Sequence, residues 1–138
     1  IIRYLAAKHG DGTLLPADLG ARALGERWMD WQLSVVNRFM PTVFMGLVRT
    51  PPEKRDNTAI ATARDGYENA MAILDRYLGE TEYVAGDDFS LGDIPVGIMA
   101  YRWFNLDIER KELPNLGRWH GALSLRPGHM QHVDIGLS

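Results

Sequence analysis

The apolar residues of this chain recur at helical spacing over long stretches. Leu24, Trp28, Trp31, Val35 and Phe39 follow one another at three or four residues, which lines them up on one face of a helix. Ile60, Tyr67, Met71, Leu74 and Leu78 make a second stripe of the same kind. No alternating run bounded by hairpin-turn residues stands against them, and no repeat or low-complexity segment is present. Such stripes are buried by packing helix on helix, so the sequence predicts an all-α fold, a helical bundle. With 138 residues, 46% of them hydrophobic, the chain can build one core without a disulfide or metal staple.

Glycine and proline divide the chain. Ile2, Leu5 and Ala6 share a helical face that Gly10 stops. From Gly10 to Asp18 two glycines, a proline and aspartates read as a linker. The expected organisation is therefore a helix end over 1–10, a linker over 11–18 and a helical domain over 19–138. A long helix is predicted from about Leu19 to Leu47, with Pro41 kinking or breaking it near Phe39. Thr50 to Arg55 is a polar, proline-rich turn. A second long helix runs from about Asp56 to Leu78 and stops at Gly79. Glu80 to Phe89 reads as a loop with one apolar patch, Tyr83-Val84-Ala85. Further helices are predicted from Ser90 to about Asn105 and from Pro114 to about Leu125, the last ended by Arg126-Pro127-Gly128. The opening Ile1-Ile2-Arg3-Tyr4-Leu5 looks like the middle of a helix and unlike a signal peptide, so the chain is expected to begin earlier than Ile1.

Composition narrows the functions. A net charge of −3 gives no basic footprint for nucleic acid, and Lys54-Arg55 is a solvated turn. The longest apolar stretches fall far short of the roughly 18–20 residues of a membrane span. There is no cysteine, so disulfides, thiolate metal ligands and a cysteine nucleophile are excluded within these residues, which is compatible with the cytoplasm. His129 and His132 have the spacing of a metal pair, but Pro127 and Gly128 put them in a tail loop, and no metal is predicted. His120, beside Trp119, reads as a partly buried structural group. Asp87-Asp88 fits a turn better than a calcium loop.

One short motif is more specific. In Phe89-Ser90-Leu91-Gly92-Asp93-Ile94, Ser90 as an N-cap can accept from the N–H of Asp93, whose carboxylate can reach back to the N–H of Ser90. Phe89 and Ile94 occupy hydrophobic-staple positions, and Asp93 lies where the helix dipole favours an anion.

The wider stretch, Val84 to Ile94, resembles the segment that opens the buried core helix of cytosolic glutathione S-transferases. Leu113-Pro114-Asn115-Leu116-Gly117-Arg118-Trp119 resembles the opening of that family's next helix, and Arg126-Pro127 with His132-Val133 resembles its tail. Ile2-Arg3-Tyr4-Leu5-Ala6 looks like the end of the last helix of the family's thioredoxin-like domain. The resemblance runs through the whole chain and is nearest to bacterial, theta-like members. Gly92, where a helix former is usual, and Pro95, which forfeits a bond to the carbonyl of Leu91, depart from the pattern.

The resemblance implies an all-helical C-terminal domain with the thioredoxin-like domain largely absent. In the family that domain binds glutathione, the co-substrate, and supplies the Tyr, Ser or Cys that stabilises its thiolate, so no residue here is carried over as catalytic. The helical domain forms the wall of the pocket for a small hydrophobic electrophile and part of a homodimer interface. Trp28, Trp31, Val35, Phe39, Met40, Tyr101 and Phe104 are the expected wall. Gln32 and Arg102 are the expected contacts to the sulfur end of glutathione. The implied activity is conjugation of glutathione to hydrophobic electrophiles in detoxification, or a related reduction or dehalogenation. The alternative is a transferase-like binding or interaction protein without thiol chemistry.

Overall fold

The structure is a computed structural model that describes residues 1–10 and 12–137. Asp11 of the predicted linker and Ser138 at the end of the predicted helical domain lie outside the described residues. Among the described residues seven α-helices follow one another: α1 (Ile2–His9), α2 (Leu19–Ser34), α3 (Met40–Phe44), α4 (Asn57–Leu78), α5 (Asp93–Asn105), α6 (Pro114–Ser124) and α7 (Pro127–His132). Among the described residues the only extended pairing is an isolated bridge between Tyr83 and Gly86. The all-α expectation holds.

Two helices start where local chemistry dictates. Asp18 caps α2 by accepting from the N–H of Ala21 at 2.8 Å, and Asp56 caps α4 through Ala59 at 2.9 Å. Each carboxylate satisfies an orphan donor of the first turn and suits the positive end of the dipole.

The predicted long helix to Leu47 is broken earlier than Pro41 suggests. α2 ends at Ser34, a 3₁₀ turn spans Val36–Arg38, α3 begins at Met40, and a π-helical turn covers Met45–Arg49. Pro41 lies in the first turn of α3, where its missing N–H has no intrahelical partner to lose. The helix is therefore broken, not kinked, and the break ends at Phe39, where Pro41 is expected to act.

α5 is the centre of the bundle. It packs against α2 and α6, and Val96, Gly97, Met99, Ala100, Tyr101 and Trp103 are all buried. From α4, the Tyr67 hydroxyl donates to the carbonyl oxygen of Met99 at 2.5 Å. Burial pushes the Tyr67 phenol far above its ordinary pKa, so it stays a donor.

The start of α5 also differs from the prediction. The helix begins at Asp93, with Gly92 at the N-cap, three residues beyond Ser90. Ser90 Oγ accepts from the N–H of Gly92 at 3.3 Å and not from that of Asp93, whose N–H donates to the Ser90 carbonyl at 3.1 Å. Pro95 explains the shift. A helix from Ser90 would need an N–H at position 95, whereas a start at Asp93 puts Pro95 in the first turn, where none is needed. The other half of the predicted box is present: Asp93 Oδ2 accepts from the N–H of Ser90 at 2.8 Å. Phe89 has further partners. Its ring meets Tyr83 edge-on at 6.1 Å and carries the Arg126 guanidinium 3.6 Å from its centroid.

Asp93 does more than close a box. The side chain is completely buried. Its Oδ1 also accepts from the N–H of Val84 at 3.1 Å and from Trp119 Nε1 at 2.9 Å, and Oδ2 takes the Ser90 hydroxyl at 3.0 Å. One carboxylate thus ties the 84–90 loop and α6 to the start of α5. Burial raises its pKa, and the four donors oppose that shift.

Gly92 is required by a close approach. A Cβ there would stand 2.7 Å from the Gly25 carbonyl oxygen, 2.8 Å from a Val84 methyl and 2.9 Å from Gly25 Cα. Backbone touches backbone where α2 crosses the entry to α5. The linker is packed as well: Leu15 is buried with Ala6, Met29 and Leu91, and the Leu14 carbonyl accepts from the N–H of Leu91 at 2.8 Å. After α6 the chain is helical again over Pro127–His132, so His129 and His132 lie on a short helix and not in the expected loop.

Two stability experiments follow. Gly92→Ala should destabilise by about 1–3 kcal/mol, because the overpacked neighbour is backbone. Gly25→Ala, whose Cβ would meet Leu91 and Ser90 atoms at 3.4 Å, should be near neutral. Urea midpoints decide, and a Gly92→Ala protein as stable as wild type would contradict the close approach. Asp93→Ala strips acceptors from two backbone N–H groups and an indole N–H. It should cost on the order of 3 kcal/mol or more, against about 1 kcal/mol for Ser90→Ala.

Candidate functional site

Where α3, α5 and the segment after α7 meet, they line a half-open cavity of ≈ 260 Å³. Phe44 of α3 and Ile98, Tyr101 and Arg102 of α5 form its inner walls, and His132, Val133 and Ile135 close it from the tail. Arg102 is half-buried. Its guanidinium carbon lies 4.8 Å from the centre of the Phe44 ring, and Nη1 lies 3.6 Å from Met40 Sδ. The Tyr101 hydroxyl accepts from the N–H of Gly136 at 3.1 Å, which fastens the tail across α5. The site is therefore an apolar box with one cation and one phenol at its wall, the usual make-up of a small-molecule cavity. A larger groove of ≈ 900 Å³ beside the linker is lined by Asp18, Asp87, Asp88 and Arg126.

The sequence-predicted residues fall into two groups. Met40, Tyr101 and Arg102 meet at this cavity or beside it. Trp28 is buried between α2 and α4, with its ring 4.8 Å from Tyr77 and 4.9 Å from Trp31. Trp31 is half-buried against the same cluster, and Val35 sits at the C-cap of α2. Phe39 lies over Gly66 of α4, where a Cβ would stand 2.4 Å from its ring. Gln32 is buried, and its amide donates to Asn37 Oδ1 at 2.9 Å across the break after α2. Phe104 faces α6, 4.8 Å from the His120 ring. Phe44 and Ile98 escaped the sequence reading, although each stands one turn from a residue that was chosen, Met40 and Tyr101. The tail residues carry no periodic signal that would have found them.

Tyr101 and Phe104 also belong to an aromatic cluster with two histidines. The His120 and His129 rings are 5.7 Å apart, and Tyr101 lies 6.5 Å from His120 and 5.9 Å from His129. Nε2 of both histidines is buried without a hydrogen-bond partner among the described residues. Burial holds the His120 pKa below its ordinary value, His129 adds to that, and Asp134 opposes it. His129 is lowered by burial too, again against Asp134. Among the described residues no group of three or more His, Asp or Glu could hold a metal ion.

The comparisons with known proteins agree with this architecture. Residues 35–127 match the family described as glutathione S-transferase, C-terminal domain. The chain belongs to this family. It is 38% identical over 138 residues to glutathione S-transferase GstB of Escherichia coli K12, a match that spans all of this chain and 66% of that protein. The chain thus spans about two thirds of the length of that relative. It is also similar to the theta class glutathione S-transferase of Xanthomonas axonopodis pv. citri, solved with glutathione bound. There the identity is 40% and the TM-score 0.96, over 100% of this chain and 72% of that one. A glutathione transferase of Phanerochaete chrysosporium, at 20% identity and TM-score 0.83 over 94% of this chain and 60% of that one, shares the fold.

The two histidines make stability depend on pH. Their folded pKa values lie below the unfolded value of about 6.5, so the native state binds fewer protons. Their contribution is complete above about pH 6.5 and is lost as pH falls through the lowered folded values. Wild type should lose stability from pH 7 to 5 more steeply than a His120→Gln/His129→Gln double variant. Equal slopes in thermal unfolding would remove the histidines from the account.

Proposed function

We propose that this chain is the helical portion of a glutathione transferase that joins glutathione to small hydrophobic electrophiles. In this reading residues 1–10 end the last helix of a thioredoxin-like domain, 11–18 link the two domains, and 19–138 supply the wall of the electrophile pocket. The observation that carries it is the end-to-end match, at 40% identity and TM-score 0.96, to a theta class transferase solved with glutathione bound. The cavity beneath the tail supports it. Attack by a thiolate on carbon needs the electrophile held at near-attack distance, and apolar walls such as Phe44 and Ile98 do this with little directional demand. Glutathione itself would be gripped mainly by the thioredoxin-like domain.

The packing shifts the weight among the candidate residues. Met40, Tyr101 and Arg102, with Phe44 and Ile98, are the stronger wall. Trp28, Trp31, Val35, Phe39 and Phe104 would act through them, as the packed layer that holds α3 and α5 in place. Gln32 would hold the turn after α2 through Asn37. A cytoplasmic homodimer with a detoxifying role completes the reading. Leu33 and Met45, 59% and 53% exposed, supply apolar surface for a subunit contact.

The test uses the full-length protein. It should be retained on immobilised glutathione and should conjugate 1-chloro-2,4-dinitrobenzene. Phe44→Ala should raise KM for the electrophile roughly tenfold, about 1.4 kcal/mol, with KM for glutathione little changed. Failure of both retention and conjugation would favour the non-catalytic binding protein.

A further inference from the structure

The cavity between α3, α5 and the tail has a feature that a pocket for purely apolar molecules does not need. Arg102 lines it, and among the described residues no carboxylate pairs with its guanidinium. Its recorded partners are the Met40 sulfur at 3.6 Å and the Phe44 ring at 4.8 Å. Both orient the guanidinium plane without neutralising its charge. The other titratable groups on the lining are Tyr101 and His132, and no Asp or Glu is among them. Tyr101 already accepts from Gly136 at 3.1 Å, so its own hydroxyl proton is free to be donated. Phe44, Ile98, Val133 and Ile135 supply the apolar remainder.

The geometry points to a cavity that takes a small apolar molecule carrying an anionic group, a carboxylate foremost, with Arg102 as the residue that selects it. The planar guanidinium offers two parallel N–H donors to a carboxylate, a match that a neutral amide of the same shape cannot reproduce. Partial burial makes the charge worth more than on an open surface, because the walls displace the water that would screen it. Tyr101 can donate a further hydrogen bond from the adjacent helical position. The inference rests on the proposed function only in making this molecule the electrophile; the binding preference itself needs no thiol chemistry.

Titration calorimetry of the full-length protein with 4-chlorobenzoate and with 4-chlorobenzamide, in low salt, tests it. Wild type should bind the carboxylate at least tenfold more tightly than the amide. Arg102→Met should bring the two affinities together, while Arg102→Lys, which keeps the charge and loses the fork, should retain part of the preference. Circular dichroism checks that each variant folds, and the lysine variant keeps the test open if the methionine variant does not. Wild-type affinities within twofold of each other would overturn the inference, and so would a preference unchanged in Arg102→Met. A preference seen in a protein without conjugating activity supports this inference while removing the enzymatic reading. Conjugation without the preference does the reverse.

Discussion

The fold hangs on one buried carboxylate. Asp93 receives the N–H groups of Val84 and Ser90, the Ser90 hydroxyl and the Trp119 indole at 2.8 to 3.1 Å. An ionised carboxylate only accepts, and here both oxygens are filled by donors from the 84–90 loop and from α6. Such a network is favourable when every member is satisfied and costly when one is missing. It fixes where α5 begins, how the 84–90 loop lies and how α6 leans on α5. The Gly25–Gly92 contact depends on it, since backbone can approach backbone only if the start of α5 is held in one place.

A second set of polar links frames the bundle from outside. α6 has no N-cap side chain of its own. Asp75 of α4 serves instead, accepting from the N–H of Leu116 at 2.8 Å. In return Arg118 of α6 donates to the carbonyls of Leu78 and Thr81 at 2.7 and 3.0 Å, just where α4 ends, and pairs with Glu82 at 2.5 Å. Each helix thus satisfies terminal groups of the other. The ion pair itself, being exposed, adds little; the carbonyl contacts are what set the angle. With α4 and α6 locked together, α5 and its tail inherit a defined position.

Much of this was legible because it is local. The stripe from Ile60 to Leu78, the stop at Gly79, the Pro114 start and the reach of Asp93 to Ser90 all follow from spacing, caps and breakers. The misses share a cause: each depended on a partner distant in sequence. Gly92 looked like a weakness while its neighbour Gly25 was unknown. Pro41 was readable as a breaker near Phe39, but the 3₁₀ turn over Val36–Arg38 that comes before it was not. Trp119 as a partner of Asp93, and the tail as a cover for Tyr101, leave no periodic trace. For the site, residue types were readable and their grouping was not: the stripe from Leu24 to Phe39 is split by the break after Ser34.

That division has a physical origin in the break itself. A 3₁₀ turn advances about 120° per residue against about 100° for an α-helix. Three residues of it, Val36–Arg38, therefore turn the following face by roughly 60° relative to a continuous helix. Before the break α2 packs along α5, with Trp28 reaching Tyr77 of α4 at one edge. After it, Phe39 lies over Gly66 and α3 packs on α4, while Met40 and Phe44 still reach Arg102 on α5. The irregular segment, which offers least to a periodicity argument, is what creates a cavity between two otherwise close-packed layers.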